Sequence, residues 1–277
     1  MKYICYTFSM PEPEPVKDML MSLLADSGFE SFMDEDDCLN AYCPIAEYRP
    51  TEIDTILQMK QFANVATLKV EEIADQDWNA TWEASYSPAI VSPRCRIRAP
   101  FHSDEGHYDY DLIINPKMSF GTAHHETTSQ IICLMVDQNF KGLDVLDMGC
   151  GTAVLAILAK KLGANNVVAI DNDEWAYNNS IENIALNNEN DIVVELGDAA
   201  TIGNRMFDIV LANINRNILL RDMKLYVKSM KQNALIFFSG FYLDDLDMIK
   251  AEAKANGLEF VNNVVKNNWT AAVFVKK

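Results

Sequence analysis

Several features that would place the protein in a specialised class are missing from its sequence. No run of apolar residues is long enough to span a bilayer, and the N-terminal apolar stretch meets a polar, proline-rich segment too early for a signal peptide. The six cysteines include no Cys-x-x-Cys pair, which argues against a zinc site. We therefore expect a cytoplasmic protein without membrane contact or bound metal, with its cysteines as thiols.

Basic residues are also scarce. The chain has 23 Lys and Arg against 40 Asp and Glu, a net charge of −17, and residues 1–80 hold 16 acidic residues against 5 basic ones. Such a surface repels a phosphate backbone and attracts a basic partner, so we expect no direct binding of nucleic acid. An acidity that serves only solubility is the alternative that charge alone leaves open.

The N-terminal quarter of the chain is predicted to be a separate small domain, residues 1–73. Its apolar pattern indicates the order β-α-β-β-α-β, in which two helices cover one face of a four-stranded sheet. We find no catalytic constellation in this ferredoxin-like α+β domain and predict a role in substrate recognition. The predicted strands are 3–8, 29–33, 39–45 and 66–73, and the predicted helices are 16–27 and 51–61.

Residues 74–92 are predicted to be an amphipathic connector. Trp78 and Trp82 are spaced as neighbours on one helical face, and we expect them to pack between domains rather than to stack on a ligand. Beyond them, three arginines alternate with apolar residues over 94–98, so a strand would carry the guanidinium groups on one face. We expect these arginines to form ion pairs with the acidic N-terminal domain; contact with a partner is the alternative.

The most informative stretch is residues 143–152, with the sequence LDVLDMGCGT. A short apolar run ends at Asp147, and a helix is predicted from Ala153 to Leu162, which is typical of a buried parallel strand turning into a helix whose N-terminus faces a ligand. Gly149 and Gly151 permit the bend and the close approach of a ligand to the backbone. An ordinary strand–helix turn is the alternative.

The residues around this turn favour a positively charged nucleoside. Asp147 suits an ammonium or sulfonium group better than a pyrophosphate, and Val154 stands where the dinucleotide fingerprint has its third glycine. Asp171 ends the next predicted strand, 22 residues after Gly149, where an acid commonly binds the ribose hydroxyls. Asp198 follows a third strand and either accepts from an adenine amino group or caps a helix.

Two further polar segments are expected to reach the same crevice. Asn213 leaves the carboxyl end of a fourth parallel strand, where its carbonyl oxygen can hold an amine. Thr128 suits a helix N-cap region with its hydroxyl towards the crevice. His124 and His125 precede it; adjacent histidines point apart and no third ligand follows, so we expect them to order the loop rather than bind metal or act as a base.

Three motifs resemble those of class I S-adenosylmethionine-dependent methyltransferases: DMGCGT at 147–152, DND at 171–173 and ANI at 212–214. The segment 120–128, FGTAHHETT, is similar to the Phe-Gly-Thr-Gly-x-His-x-Thr-Thr signature of the PrmA family, whose members methylate ribosomal protein L-eleven. A final strand pair on an otherwise parallel sheet also fits. The resemblance covers nearly the whole chain and implies a Rossmann-like α/β domain with a seven-stranded sheet over residues 93–277.

The resemblance implies that S-adenosylmethionine is the methyl donor and that a basic ribosomal protein of the large subunit is the substrate, trimethylated on lysines and the α-amino group. It places Thr128, Gly149, Asp171 and Asn213 at the cofactor. With the residue-based arguments, Asn213 is the predicted catalytic residue, and the predicted cofactor-binding residues are Thr128, Asp147, Gly149, Gly151, Asp171, Asp198 and Asn213.

Two residues depart from the family pattern. Ala123 and Ala153 replace glycines, and we expect both to add a methyl group beside the cofactor, with a stiffer loop at Ala123 and a favoured helix at Ala153. The alternatives to a protein methyltransferase are a methyltransferase for nucleic-acid or small-molecule amines, a nicotinamide-dependent oxidoreductase and a non-catalytic module that binds S-adenosylmethionine.

Overall fold

A computed structural model describes residues 2–10, 14–35, 38–73, 83, 85–117 and 119–277. The chain divides into two compact units, Met1–Ser85 and Tyr86–Lys277. Trp78 and Trp82, predicted to pack between domains, lie outside the described residues. The end of the predicted connector, from residue 86, belongs to the second unit.

The first unit has the predicted β-α-β-β-α-β order. Its four strands form an antiparallel sheet in the order β2-β3-β1-β4, and the apolar faces of both helices pack with it around Phe8, Leu20 and Ile53. The elements are β1 (Tyr3–Ser9), α1 (Glu14–Asp26), β2 (Ser31–Glu35), β3 (Cys38–Pro44), α2 (Pro50–Leu57) and β4 (Ala66–Ile73).

The second unit is built on a seven-stranded sheet in the order β10-β9-β8-β11-β12-β14-β13. Strands β8 to β12 run parallel, whereas β14 is antiparallel to both β12 and β13, so the predicted terminal hairpin is confirmed. The strands are β8 (Val145–Met148), β9 (Val167–Asp171), β10 (Val193–Leu196), β11 (Phe207–Asn213), β12 (Met230–Tyr242), β13 (Leu258–Lys266) and β14 (Trp269–Lys276). The helices are α3 (Glu126–Val136), α4 (Val154–Lys161), α5 (Glu174–Leu186), α6 (Arg216–Lys228) and α7 (Leu246–Ala255).

The central parallel strands are mostly apolar and buried because helices cover both faces of the sheet. Along β11, Ile209 and Leu211 belong to one buried cluster, while Val210 and Ala212 belong to the other. Successive side chains of a strand point to opposite faces, so this alternation fills two cores at once. The central strands are thereby fixed, and their carboxyl ends share one edge.

A three-stranded sheet completes the second unit: β5 (Ala89–Ser92), β6 (Cys95–Arg98) and β7 (Tyr110–Ile113). The predicted pairing of its arginines with the N-terminal domain was wrong. Arg96 and Arg98 both bond Asp111, at 2.7 and 2.8 Å, and Arg94 bonds Asp109. Because β6 and β7 run side by side, Asp111 on β7 and Asp109 just before it neutralise the guanidinium groups within the same unit.

The structure also bears on the membrane and redox expectations. Within the described ranges, no helix has the length and apolar character needed to cross a bilayer. All six cysteines are free thiols, and Cys5, Cys43, Cys95 and Cys150 are buried.

Candidate functional site

A cavity of about 490 Å³ lies over the carboxyl ends of β8, β9 and β11. Five of the seven predicted cofactor residues line it: Thr128, Gly149, Gly151, Asp171 and Asn213. Asp147 and Asp198 do not belong to its lining. The remaining lining residues are Ser119, Phe120, Gly121, His125, Thr127, Cys150, Val154, Leu155, Asn172, Asp173, Ala176, Ile214, Asn215, Gly240 and Trp269.

The glycine turn after β8 is shaped by the protein's own loop. Gly149 and Gly151 have φ of 69° and 56°, in the left-handed region that favours glycine. A Cβ at residue 151 would lie 2.3 Å from the carbonyl oxygen of Phe120, which accepts a hydrogen bond from the N–H of Thr152. Gly151 is therefore required by the close approach of the loop before α3, whereas the sequence suggested the approach of a ligand.

Asp171 holds the turn and faces the cavity at the same time. Its Oδ2 accepts from the N–H of Gly151 at 2.8 Å, and its Oδ1 accepts from the N–H of Asp173 at 3.0 Å. Only 9% of the residue is exposed. Each carboxylate oxygen has a second lone pair, so the group retains the capacity to accept hydrogen bonds from a ligand.

Asn213 and Thr128 contact each other at the wall of the cavity. The Nδ2 of Asn213, at the end of β11, donates to the Oγ1 of Thr128, in the first turn of α3, at 3.1 Å. The Oδ1 of Asn213 is buried and has no hydrogen-bond partner in the protein. Because an unpaired buried carbonyl oxygen costs free energy, this atom is a candidate to accept from a ligand.

Asp147 lies behind the cavity wall rather than in it. Its side chain is 1% exposed, and its Oδ2 accepts from the N–H of Ala156, in the first turn of α4, at 3.0 Å. Burial raises the pKa of this carboxyl to about 7, more than the Ala156 hydrogen bond lowers it. The predicted contact of Asp147 with the ligand is therefore not shown, because its carboxylate turns back to the start of the helix.

Asp198 caps a helical turn, which is the alternative that the sequence left open for it. Its side chain accepts from the N–H of Ala200 at 2.9 Å at the start of a 3₁₀ turn, Ala199–Ile202, and the residue is exposed. The structure does not bring Asp198 into the cavity lining, and the adenine contact stays a prediction.

The expectation of a helical Ala153 was wrong, and neither alanine adds a methyl group to the cavity lining, whereas the stiffer loop at Ala123 stays a prediction. Ala123 and Ala153 have φ of 64° and 61°, so both adopt the left-handed conformation in place of a glycine, and Ala153 is the residue before α4 rather than its first turn. Each costs about 1 kcal/mol of backbone strain. Both side chains are buried in the core beneath the crevice, and neither belongs to the cavity lining.

The two histidines order the loop, as predicted. His124 Nε2 is 2.8 Å from the carbonyl oxygen of Ser87, and His125 caps α3 by accepting from the N–H of Thr127. Among the residues that the structure describes, no group of three His, Cys, Asp or Glu side chains is arranged to hold a metal.

Sequence reasoning missed the residues that come from the last strands. Gly240, inside β12, has φ of 93°, and a Cβ there would lie 2.3 Å from the carbonyl oxygen of Ile214. A glycine inside a strand signals such a close approach. Trp269 begins β14, whose antiparallel direction places its first residue beside Tyr242, the last residue of β12. The antiparallel direction of the predicted hairpin could therefore have indicated that Trp269 lies near the crevice.

This architecture defines a class of protein. A seven-stranded sheet that ends in an antiparallel hairpin, with a crevice over the carboxyl ends of its parallel strands, is the fold of class I S-adenosylmethionine-dependent methyltransferases. The family model described as Ribosomal protein L11 methyltransferase (PrmA) matches residues 16–277. The chain belongs to the PrmA family.

Relatives with the same description extend over the full length of the chain. Ribosomal protein L11 methyltransferase of Bacteroides fragilis is 46% identical, with 99% of this chain and 100% of that protein covered. The protein of the same name from Phocaeicola vulgatus is 43% identical, with both chains covered completely. A crystal structure of ribosomal protein L11 methylase from Lactobacillus delbrueckii subsp. bulgaricus has a TM-score of 0.65 and 25% identity, covering 69% of this chain and 100% of that one. Family membership decides against the oxidoreductase alternative.

Proposed function

We propose that the chain transfers methyl groups from S-adenosylmethionine to lysine and α-amino nitrogens of ribosomal protein L11, with Asn213 aiming the amine. The observation that carries this proposal is the unpartnered, buried Oδ1 of Asn213 at the wall of the crevice. The names of the full-length relatives supply the substrate.

The crevice fits a nucleoside of this kind. Its volume of about 490 Å³ lies in the range of small-molecule sites. We propose that Asp171 binds the ribose hydroxyls and that the glycine turn, Gly149 and Gly151, contacts the amino acid part. Thr128 and Asn213 then lie beside the reacting centre. Asp147 supports the turn from behind, through its bond to the first turn of α4.

The chemistry asks little of the protein beyond positioning and exclusion of water. S-adenosylmethionine, when bound, supplies a sulfonium methyl group as the electrophile. A lysine amine, with a pKa of about 10.4 in water, must first lose a proton, and burial in the crevice lowers that pKa. Asn213 accepts one amine N–H through Oδ1 and so orients the lone pair, while Thr128 fixes the amide by accepting from its Nδ2.

The first unit is proposed to recognise the substrate. Its acidity, within a chain of net charge −17, suits a basic ribosomal protein by electrostatic steering. The same charge disfavours the alternative of a nucleic-acid substrate. We place the protein in the cytoplasm, where ribosomal proteins are made.

Incubation of the chain with labelled S-adenosylmethionine and purified large-subunit proteins tests the function. The proposal predicts label on L11 amines and, by peptide mass spectrometry, on lysine or N-terminal residues. Label on ribosomal RNA alone, or on no component while S-adenosylmethionine is bound, would contradict it; the second outcome is that of a binding module.

Asn213→Ala tests the proposed role of the amide. We expect turnover on L11 to fall about 10²-fold or more because the lone pair is no longer oriented, while the dissociation constant for S-adenosylmethionine changes much less. The matched control is Asn262→Ala, which removes an exposed amide from β13 and should match wild type. Unchanged turnover in Asn213→Ala would remove this residue from the mechanism.

A further inference from the structure

Four aromatic rings form a continuous row along the crevice. The ring centroids of Phe120 and His125 lie 5.2 Å apart, those of His125 and Trp269 4.8 Å, and those of Trp269 and Tyr242 4.1 Å. We call these four residues the aromatic row. Phe120 and Tyr242 are 54% and 45% exposed, so the row is a surface open to a ligand and not part of a core.

The row connects two cavities. Phe120, His125 and Trp269 line the large crevice, and Trp269 and Tyr242 line a second cavity of about 410 Å³. Trp269 therefore belongs to both. A long side chain lying along the row would pass from the second cavity towards Asn213.

The carboxylates of the two cavities are engaged by other groups. Asp171 and Asp173 accept from backbone N–H groups, and Asp245, in the second cavity, bonds Arg216 at 2.6 Å. Besides these carboxylates, the described residues that line the two cavities contribute the rings of the row, the hydroxyl of Thr128 and the unpartnered Oδ1 of Asn213. A cation that entered here would meet aromatic rings and a free carbonyl oxygen in addition to Asp171 and Asp173, whose backbone hydrogen bonds leave their negative charge in place.

Building on the proposed function, we propose that the aromatic row binds the positively charged amine head of the substrate, with Trp269 as its central ring. Ring faces attract ammonium groups, and methylated ammonium groups are favoured ligands of aromatic cages. The second cavity would hold the chain that adjoins the amine.

The row also suits the change of charge during transfer. The neutral amine's lone pair forms the new N–C bond, the electron pair of the broken S–C bond stays on sulfur, and the positive charge moves to nitrogen. The proton lost beforehand goes to solvent. Rings beside the nitrogen thus stabilise the transition state more than the neutral amine.

A binding experiment without methyl donor tests the row. The full chain is titrated by NMR with Nα-acetyl-Nε-trimethyllysine amide and with its uncharged isostere, in which carbon replaces the quaternary nitrogen. Wild type is expected to bind the cation about 2- to 30-fold more tightly. Trp269→Leu should lose this preference, and Trp269→Phe should retain it. Equal affinities in wild type, or an unchanged preference in Trp269→Leu, would overturn the proposal.

Two further variants keep the test decisive. Phe260→Leu removes a half-exposed ring of β13 outside both cavities and should keep the wild-type preference. If Trp269→Leu does not fold, Tyr242→Leu, which changes an exposed residue of the row, is compared in its place. An unchanged preference for the cation in Tyr242→Leu would overturn the proposal that the row binds the amine. Because the probes need no methyl donor, a wild-type chain that transfers no methyl group overturns the proposed function only, whereas an absent charge preference overturns the row only.

Discussion

Two residues of the crevice hydrogen-bond to the protein and also present acceptor atoms to a ligand. Asp171 accepts hydrogen bonds from two backbone N–H groups and still faces the cavity, and Asn213 bonds Thr128 with one end of its amide while the other end is free. The protein contacts fix each side chain before a ligand arrives, so little ordering remains to be done on binding.

Asp147 makes stability depend on pH. The pKa of its carboxyl is raised from 3.8 to about 7, mainly by burial. Between these values the folded state keeps a proton that the unfolded chain has lost, so the contribution of this carboxyl to stability is full below about pH 4 and is lost as pH rises to about 7. Asp147→Asn removes this dependence. In urea unfolding at pH 5 and pH 8, wild type should lose roughly 2 kcal/mol more stability over this range than the variant.

The control for this prediction is Asp191→Asn, which changes a carboxylate whose side chain is 64% exposed. It should follow the wild-type pH dependence. Parallel curves for wild type and Asp147→Asn would show that the buried carboxyl does not titrate in this range.

At the scale of elements, the loop before α3 and the glycine turn after β8 act as one structure. We expect Gly151→Ala to weaken S-adenosylmethionine binding at least about tenfold, because its Cβ would displace the Phe120 carbonyl and with it the loop. Gly142→Ala is the matched control: it has φ of 76° but nothing within 4 Å of the new Cβ. It should cost about 1 kcal/mol of stability and leave binding unchanged.

Calorimetric titration and urea unfolding of both glycine variants check this expectation. If Gly151→Ala binds the nucleoside as tightly as Gly142→Ala does, the loop is not part of the site.

Elements also show what the sequence could predict. Asp171 and Asn213 lie at the same crevice, as strand order and direction predict, because parallel strands end at a common edge; their roles stay predictions. Trp269 was missed because its position depends on the antiparallel return of β14. The helix was predicted to include Ala153 because the apolar pattern does not distinguish a left-handed residue just before a helix from the first helical residue. The glycine that the family has at this position indicated the left-handed conformation.

The whole molecule combines an acidic first unit, for which we propose a role in substrate recognition, with a methyltransferase unit. Because substrate capture is proposed to depend on long-range attraction, kcat/KM for L11 should fall as ionic strength rises from about 0.05 M to 0.5 M. The dissociation constant for S-adenosylmethionine should change little, since the crevice is partly enclosed. Steady-state kinetics over a salt series tests this, and a salt-insensitive kcat/KM would exclude electrostatic steering.

The most direct test of the central claim, that the crevice at the carboxyl edge of the large sheet binds S-adenosylmethionine, is calorimetric titration of wild type and Asp171→Asn. The account predicts one S-adenosylmethionine bound per wild-type chain, an affinity about 10- to 100-fold weaker in the variant because a charge-assisted acceptor is lost, and no binding of NAD. Wild type that binds NAD instead, or a variant that binds S-adenosylmethionine as wild type does, would contradict it.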